Sequence, residues 1–304
     1  MPGLAATGKP TSLKLHIAVF GAGCIGSMFA WHLVRDGGHE VTVVARGARL
    51  AQLQADKAIL NRSNDRAEVT VSANLDPTVS YDLLLVSVKG NQVTEALPTL
   101  QASTAKTIMF NSVTFSPLAL MQNAVGGDRF AYGFPKFPAF MKEGKLVNTK
   151  ISSFTPTIVT QAQWVQLFND AHIPSRLTPC DMDSYMRAHV AAATPLLTLC
   201  SIAHMRGTGI TWAEACKHAK AQAEGFAIVK QLGLSVPRVG LNWMSNSPQV
   251  CNKLIFWLAS RMLPADFKEL LHSSAGEAAF NIDEMSGAAP GKAVALLEIR
   301  PYQA

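Results

Sequence analysis

A chain of 304 residues with 48% hydrophobic and 16% charged side chains is long enough for two domains and too apolar for disorder to be its main state. Its net charge of +6 comes without a Lys/Arg run or a basic stripe interleaved with aromatics, so no nucleic acid is implied as a partner. The excess suits a phosphate-bearing cofactor and an anionic substrate instead. Five cysteines (Cys24, Cys180, Cys200, Cys216 and Cys251) are odd in number, widely spaced and form no C-x-x-C. They fit free thiols in a reducing compartment, the cytoplasm, and argue against a disulfide framework or a metal site.

Residues 1–13 are rich in Gly, Pro, Ala and Thr, lack the apolar core of a signal peptide, and read as a flexible extension. The segment Leu15-His16-Ile17-Ala18-Val19-Phe20 is apolar and β-branched, the pattern of a buried parallel strand. It runs into Gly21-Ala22-Gly23-Cys24-Ile25-Gly26, then a helix-forming stretch stopped at Gly37-Gly38, then a second strand, 40–45. Strand, glycine turn, helix and strand within about 30 residues is the context that gives G-x-G-x-x-G its meaning as a dinucleotide site. Gly21 permits the tight turn, Gly23 lets a pyrophosphate approach the backbone, and Gly26 lets the helix pack on the strand. The helix N-terminus offers free N–H groups to the phosphates. An NAD site usually has Asp or Glu at the end of the second strand. Here the strand ends Val44-Ala45-Arg46-Gly47-Ala48-Arg49, with two guanidinium groups and no carboxylate. Arginine suits a 2′-phosphate, so the expected cofactor is NADP(H), with Arg46, directly after the strand, as its partner.

A short helix is expected over 49–54, a polar turn over 61–66 and a strand over 69–71. The apolar strand 81–89 ends in Lys89, placed to meet the cofactor or a substrate carboxylate at a strand's carboxyl end. The strand 107–110 ends at Asn111, whose amide can hold the nicotinamide ribose or a substrate oxygen, or cap the turn. Segments 130–134 and 152–160 are strand-like, and Phe134-Pro135-Lys136-Phe137-Pro138 reads as a stiff aromatic loop packed in the core. Beyond about residue 180 the strands cease. Residues 181–204 are helical in pattern, with a kink expected at Pro195. The apolar run 190–203 is too short and too broken by Thr and Pro for a membrane span. Thr211-Trp212-Ala213-Glu214 is a capping box opening a helix to about Leu232, and further helices are expected over 250–262 and 266–285. The fold class is therefore α/β, a Rossmann-type doubly wound parallel sheet over 14–179 followed by an all-helical domain over 180–304, with substrate in the cleft between them.

These motifs resemble the ketopantoate reductase (2-dehydropantoate 2-reductase) family. The matching pieces are Gly21 to Gly26, Arg46-Gly47-Ala48-Arg49-Leu50, the strand Asp82 to Lys89 with Gln92, and Asn111, where Ser112 replaces the family's glycine. The resemblance implies a helical C-terminal domain whose first helix carries a Trp-x-Lys pattern, the lysine protonating the carbonyl oxygen. The corresponding stretch, 185–195, has no lysine. Aligned on its aromatic residue it offers Arg187; aligned on Pro195 it offers Met186. Arginine stabilises an oxyanion but is a poor proton donor at neutral pH. His189, two residues on, is the alternative donor. The resemblance also implies a late Glu bonding the substrate hydroxyl, for which Glu277 and Glu284 are candidates on one helix face. The catalytic set expected is thus Asn111, Arg187, His189 and Glu277, and the cofactor set is residues 21–26 with Arg46, Lys89 and Asn111.

The function expected is NADPH-dependent reduction of a small 2-oxo acid or related carbonyl, in a homodimer invited by Trp243, Phe256 and Trp257. The alternatives are a catalytically weak NADP(H)-binding redox sensor, or a dehydrogenase of opine or sugar-acid type.

Overall fold

A computed structural model describes residues 13–301, so all of the expected N-terminal extension except Leu13 lies outside the described residues. The first half of the chain alternates strands and helices. In order these are β1 (His16–Phe20), α1 (Cys24–Arg35), β2 (Glu40–Val44), α2 (Gly47–Asp56), β3 (Ala58–Leu60), β4 (Arg66–Glu68), β5 (Thr70–Ser72), β6 (Leu83–Val86), α3 (Gly90–Ala102), β7 (Ile108–Phe110) and α4 (Leu118–Val125). They continue with β8 (Phe130–Phe134), β9 (Met141–Lys142), β10 (Lys145–Leu146), β11 (Thr157–Val159), α5 (Ala162–Asp170) and β12 (Ser175–Leu177). Eight strands form one sheet in the order β12-β11-β8-β7-β6-β1-β2-β5, parallel throughout except where β11 meets β8.

That order places the site. From β1 the chain builds outward to β2 and β5, then crosses back to lay β6 against the other side of β1. The sense of winding reverses between β1 and β6, and the crevice beyond their carboxyl ends is where open α/β sheets bind ligands. Both strands are buried, and their residues alternate between the two faces. Ile17 and Val19 pack with Met28, Phe29 and Leu33 of α1 and with Trp164 and Phe168 of α5. Ala18 and Phe20 pack with Val93 and Leu100 of α3 and with Leu118 and Met121 of α4.

Among the described residues every element after β12 is helical: α6 (Met182–Arg206), α7 (Trp212–Gln231), a 3-10 segment (Gly240–Asn246), α8 (Gln249–Met262), α9 (Ala265–Ser273), α10 (Ala275–Ala288) and α11 (Val294–Glu298). The 25-residue α6 is the axis of this domain. By length and composition it could cross a membrane, yet it is mostly buried among the other helices. Gly225 of α7 lets the two helices close, since a Cβ there would stand 3.0 Å from the Ala191 Cβ. The first turns of α6 leave this core, and Met182, Tyr185 and Met186 pack with the sheet domain.

The capping box of α7 forms as its spacing requires, Thr211 accepting from the Glu214 N–H and Glu214 from the Thr211 N–H. As expected, one helix, α6, spans 182–206 with Pro195 inside it. Two expectations need correction. Of the strand-like segment 152–160 only β11 pairs; residues 153–155 form a turn held by the Thr155 N–H donating to Ser152 O. The helix expected over 266–285 is two helices, broken at Ser274, where Ser-Ser-Ala-Gly offers little helix propensity. α10 restarts there, with the N–H groups of Glu277 and Ala278 donating to Ser274 O. The break brings Glu277 into the first turn of a helix rather than its middle.

Candidate functional site

Three glycines shape the turn after β1, each for a different steric reason. Gly21 has φ +106°, and a Cβ there would lie 2.7 Å from the Ser87 carbonyl oxygen. Its N–H donates to Val44 O, so one residue ties together the ends of β1, β2 and β6. At Gly26 a Cβ would stand 2.0 Å from Gly21 O, which forces the start of α1 down onto the turn. Gly23 differs: a Cβ would meet nothing within 4 Å. The space it leaves is part of an open cavity of about 820 Å³ bounded by the turn, the end of β2 and the first turns of α3. α1 starts at this cavity with no side-chain cap and no acidic residue in its first turn. Its leading N–H groups are an anion site, and the vacant volume at Gly23 fits a dinucleotide pyrophosphate. Cys24 and Ile25 follow inside α1, and burial pushes the Cys24 thiol up, so it fills the turn as a neutral group.

The two arginines after β2 are used differently. Arg49 is part-buried and committed to structure: Nε donates to Ala22 O, Nη2 to Ser27 Oγ, and Nη1 to Gly144 O at 2.8 Å and to Gln52. It clamps the glycine turn to the β9–β10 hairpin. Arg46 is the N-cap residue of α2, lies on the cavity wall, and is largely exposed. Its Nη1 sits 3.0 Å from Glu95 Oε1 on the facing wall.

Lys89 caps α3 at the carboxyl end of β6, and its backbone N–H donates to Gln92 Oε1. Asn111 follows β7 and is buried; its N–H donates to Val86 O, while its side-chain Oδ1 is buried without a partner. The helical domain meets these strand ends through α10. Glu277 accepts the Gly90 N–H at the start of α3 and lies within electrostatic reach of Lys89. A Cβ at Gly90 would stand 2.3 Å from Val113 O, so glycine is what lets the loop after β7 pack against the start of α3, with the Phe280 ring of α10 in ordinary contact beside it. Burial raises the Glu277 carboxyl above the usual range, with Lys89 and the Gly90 N–H opposing in part.

One turn-pair further along α10, Glu284 accepts from Thr114 Oγ1, the Phe115 N–H and Ser116 Oγ. Asp183 of α6 accepts the Leu118 N–H. These two carboxylates hold the 112–118 loop, which makes Glu284 a brace for that loop. Arg187 is buried with its Nε 3.2 Å from Asp183 Oδ2 and its guanidinium 5.4 Å from the Phe115 ring centroid. Its charge is already matched. His189 is wedged between Phe134 (centroids 4.6 Å apart) and Tyr185, and burial holds its pKa down to about 4. The expectation that it donates a proton at neutral pH fails, because desolvation keeps the ring uncharged.

Of the expected residues, then, Gly21, Ala22, Gly23 and Arg46 line one cavity, Cys24, Ile25 and Gly26 lie outside its lining in the first turn of α1, and Lys89 and Glu277 meet at the α3–α10 junction. Arg187 and His189 sit in packed surroundings on α6. Sequence reasoning missed Glu95 and Gln92 as cavity walls. Their signal was helical spacing, three and six residues after Lys89, on a helix that starts at a strand end.

Residues 17–155 match the family described as Ketopantoate reductase PanE/ApbA. A 2-dehydropantoate 2-reductase of Mesorhizobium japonicum is 31% identical over 105 residues, 33% of this chain and 32% of that protein. One from Vibrio cholerae is 34% identical over 104 residues, 33% and 32% of the two chains. The matched stretch thus spans about a third of these curated relatives. Whole-chain likeness is structural. A PanE/ApbA family ketopantoate reductase from Ralstonia eutropha superposes with a TM-score of 0.70 at 16% identity, over 94% of this chain and 97% of that one. A D-mandelate dehydrogenase solved with NADH and anilino(oxo)acetate gives a TM-score of 0.66 at 14% identity, over 94% and 96%. The shared fold is an N-terminal Rossmann domain with a helical C-terminal domain.

Proposed function

From a chain whose residues 17–155 match the ketopantoate reductase PanE/ApbA family, we propose an NADP(H)-dependent oxidoreductase that reduces a small 2-oxo acid to the 2-hydroxy acid. The observation that carries this reading is that the two halves of the chain meet around α3 and the cavity beside it. The open glycine turn and Arg46 face this cavity from the sheet, and Glu277 reaches the Lys89–Gly90 junction from the helical domain. Residues 14–179 hold the dinucleotide, 180–304 close over the substrate, and the cleft between them is the reaction site.

When bound, the nicotinamide supplies the hydride that the carbonyl carbon takes up. The chain supplies the rest. The α1 N-terminus and the bare backbone at Gly23 hold the pyrophosphate, and Arg46 takes the 2′-phosphate. Lys89, at the strand ends and within electrostatic reach of Glu277, pairs with the substrate carboxylate. Asn111 offers a buried amide that orients the substrate or ribose oxygen. Glu277, its pKa raised by burial, carries the proton that the carbonyl oxygen receives and replaces the family lysine in that role. A carboxylic acid whose pKa is raised by desolvation is suited to this, since it keeps its proton to higher pH than an ordinary carboxyl. Arg187, neutralised by Asp183, acts as a positioning residue for the 112–118 loop.

The neighbour solved with an oxo-acetate ligand and NADH supports the substrate class. A homodimer is supported by the outer face of α8, where Val250, Leu254, Leu258 and Met262 are exposed at four-residue spacing. Phe256, by contrast, is core, and Trp257 lies under the Arg261 guanidinium. The test is NADPH oxidation against a panel of 2-oxo acids that includes ketopantoate, opine precursors and sugar acids. Turnover of one member, with formation of the 2-hydroxy acid, is expected. Tight NADPH binding without turnover of any member would select a sensor.

A further inference from the structure

The cavity beside the glycine turn has a cation on one wall and an anion on the other. Arg46 stands at the start of α2, Glu95 on the second turn of α3, and the Nη1–Oε1 distance of 3.0 Å spans the space between them. Both side chains are about 70% exposed (68% for Arg46 and 72% for Glu95), so the pair is solvated and opens at little cost. Arg49 also lines the cavity and keeps its charge, but four of its five N–H groups are tied to Ala22 O, Ser27, Gln52 and Gly144 O, which fixes it in the turn. Arg46 is thus the exposed, movable cation at this wall, and Glu95 is the carboxylate beside it.

We propose that Glu95 is a specificity-determining residue of the nucleotide cavity: its carboxylate competes with the 2′-phosphate for Arg46 and so limits the preference for NADP(H) over NAD(H). This rests on the NADP(H) reading of the same cavity. A 2′-phosphate brings one and a half to two negative charges at neutral pH, to judge from ordinary phosphate monoesters. To reach Arg46 it displaces Glu95 and then sits near a like charge. An unphosphorylated ribose meets neither cost. It can leave the Arg46–Glu95 pair intact, and its 2′-hydroxyl can donate to the carboxylate. In NAD sites the acidic partner of that hydroxyl stands at the end of the second strand; in this chain Arg46 holds that place and the acid comes from α3.

The experiment is equilibrium titration of NADPH and NADH into the full chain, followed by nucleotide fluorescence at low and high salt, on wild type, Glu95→Gln, Arg46→Gln and the double variant. Both residues are exposed, and melting temperatures check that all four proteins are folded. Glu95→Gln is expected to tighten NADPH about three- to tenfold at low salt and less at high salt, and to leave NADH within about twofold. In the Arg46→Gln background the same change is expected to gain less, because the competition for Arg46 is gone and only repulsion remains. An unchanged NADPH affinity in Glu95→Gln, or equal shifts for both nucleotides, overturns the proposal while the cavity remains the nucleotide site. Failure of the wild type to bind either nucleotide overturns both the proposal and the reading beneath it. A wild type that prefers NADH and is indifferent to Arg46→Gln overturns the proposal and the 2′-phosphate assignment but not the dinucleotide site.

Discussion

The two sides of the crevice are built by different physics. On the sheet side the determinants are backbone sterics. Gly21 and Gly26 are required because a Cβ would strike a carbonyl oxygen, and Gly23 is bare toward the cavity. On the helical side the determinants are charges placed by packing. Glu277 matters because a helix break at Ser274 sets it in the first turn of α10, facing Lys89 and the Gly90 N–H at the start of α3. Arg187 of α6 is held by Asp183 one turn earlier on the same helix. The sheet side tolerates almost no change of shape. The helical side can change its chemistry by moving one carboxylate or one cation.

The comparison breaks most visibly at Glu277. Glu277→Gln keeps the shape and removes the acid, and kcat for reduction is expected to fall by about 10²–10⁴-fold, the usual contribution of a general acid. The sign of the pH dependence follows from the raised pKa. The wild type should reduce faster as pH falls through that pKa, and Glu277→Gln should lose this limb of the profile. Equal pH profiles in the two proteins would move the proton donor elsewhere.

Arg46→Asp tests the sheet side by charge rather than shape. Removing a charge-assisted partner and adding a like charge should weaken NADPH by about 10- to 100-fold. NADH should change by less than about threefold. Titration of both nucleotides measures it, and equal small losses would make Arg46 a surface residue.

The smallest effect belongs to His189, and it is one of stability. Its pKa is about 4 in the fold against an ordinary 6.5. In the window between those values the unfolded chain binds a proton that the folded chain refuses, so stability rises with pH. The contribution is complete above about 6.5 and is lost as pH falls toward 4. His189→Phe should flatten this part of the curve in urea unfolding measured from pH 4 to 7. An unaltered slope would mean that His189 ionises freely in the fold.

Legibility followed the same division. Strand β1, the glycine turn, β2 and the α7 capping box were readable because their causes are local: periodicity, a forbidden Cβ, a side chain within reach of its own backbone. The helix over 181–204 was readable in spite of Pro195, because the apolar pattern continues on both sides of it. His189 misled because a helix apolar on most faces gives no sign of which polar residue is wedged between aromatics. Glu277 entered only through a family resemblance, and Glu95 not at all, because its meaning comes from Arg46, 49 residues away in sequence.

The measurement that bears most directly on the central claim is calorimetric titration of NADPH into Gly23→Val, with wild type as reference. The position is open space in the fold and has an ordinary φ of −71°. Valine should leave the melting temperature of the free protein nearly unchanged while filling the volume meant for the pyrophosphate. The account expects one NADPH per chain in the wild type and no measurable binding in the variant. Wild-type affinity retained in Gly23→Val would contradict it, and would reduce the glycine turn to a turn.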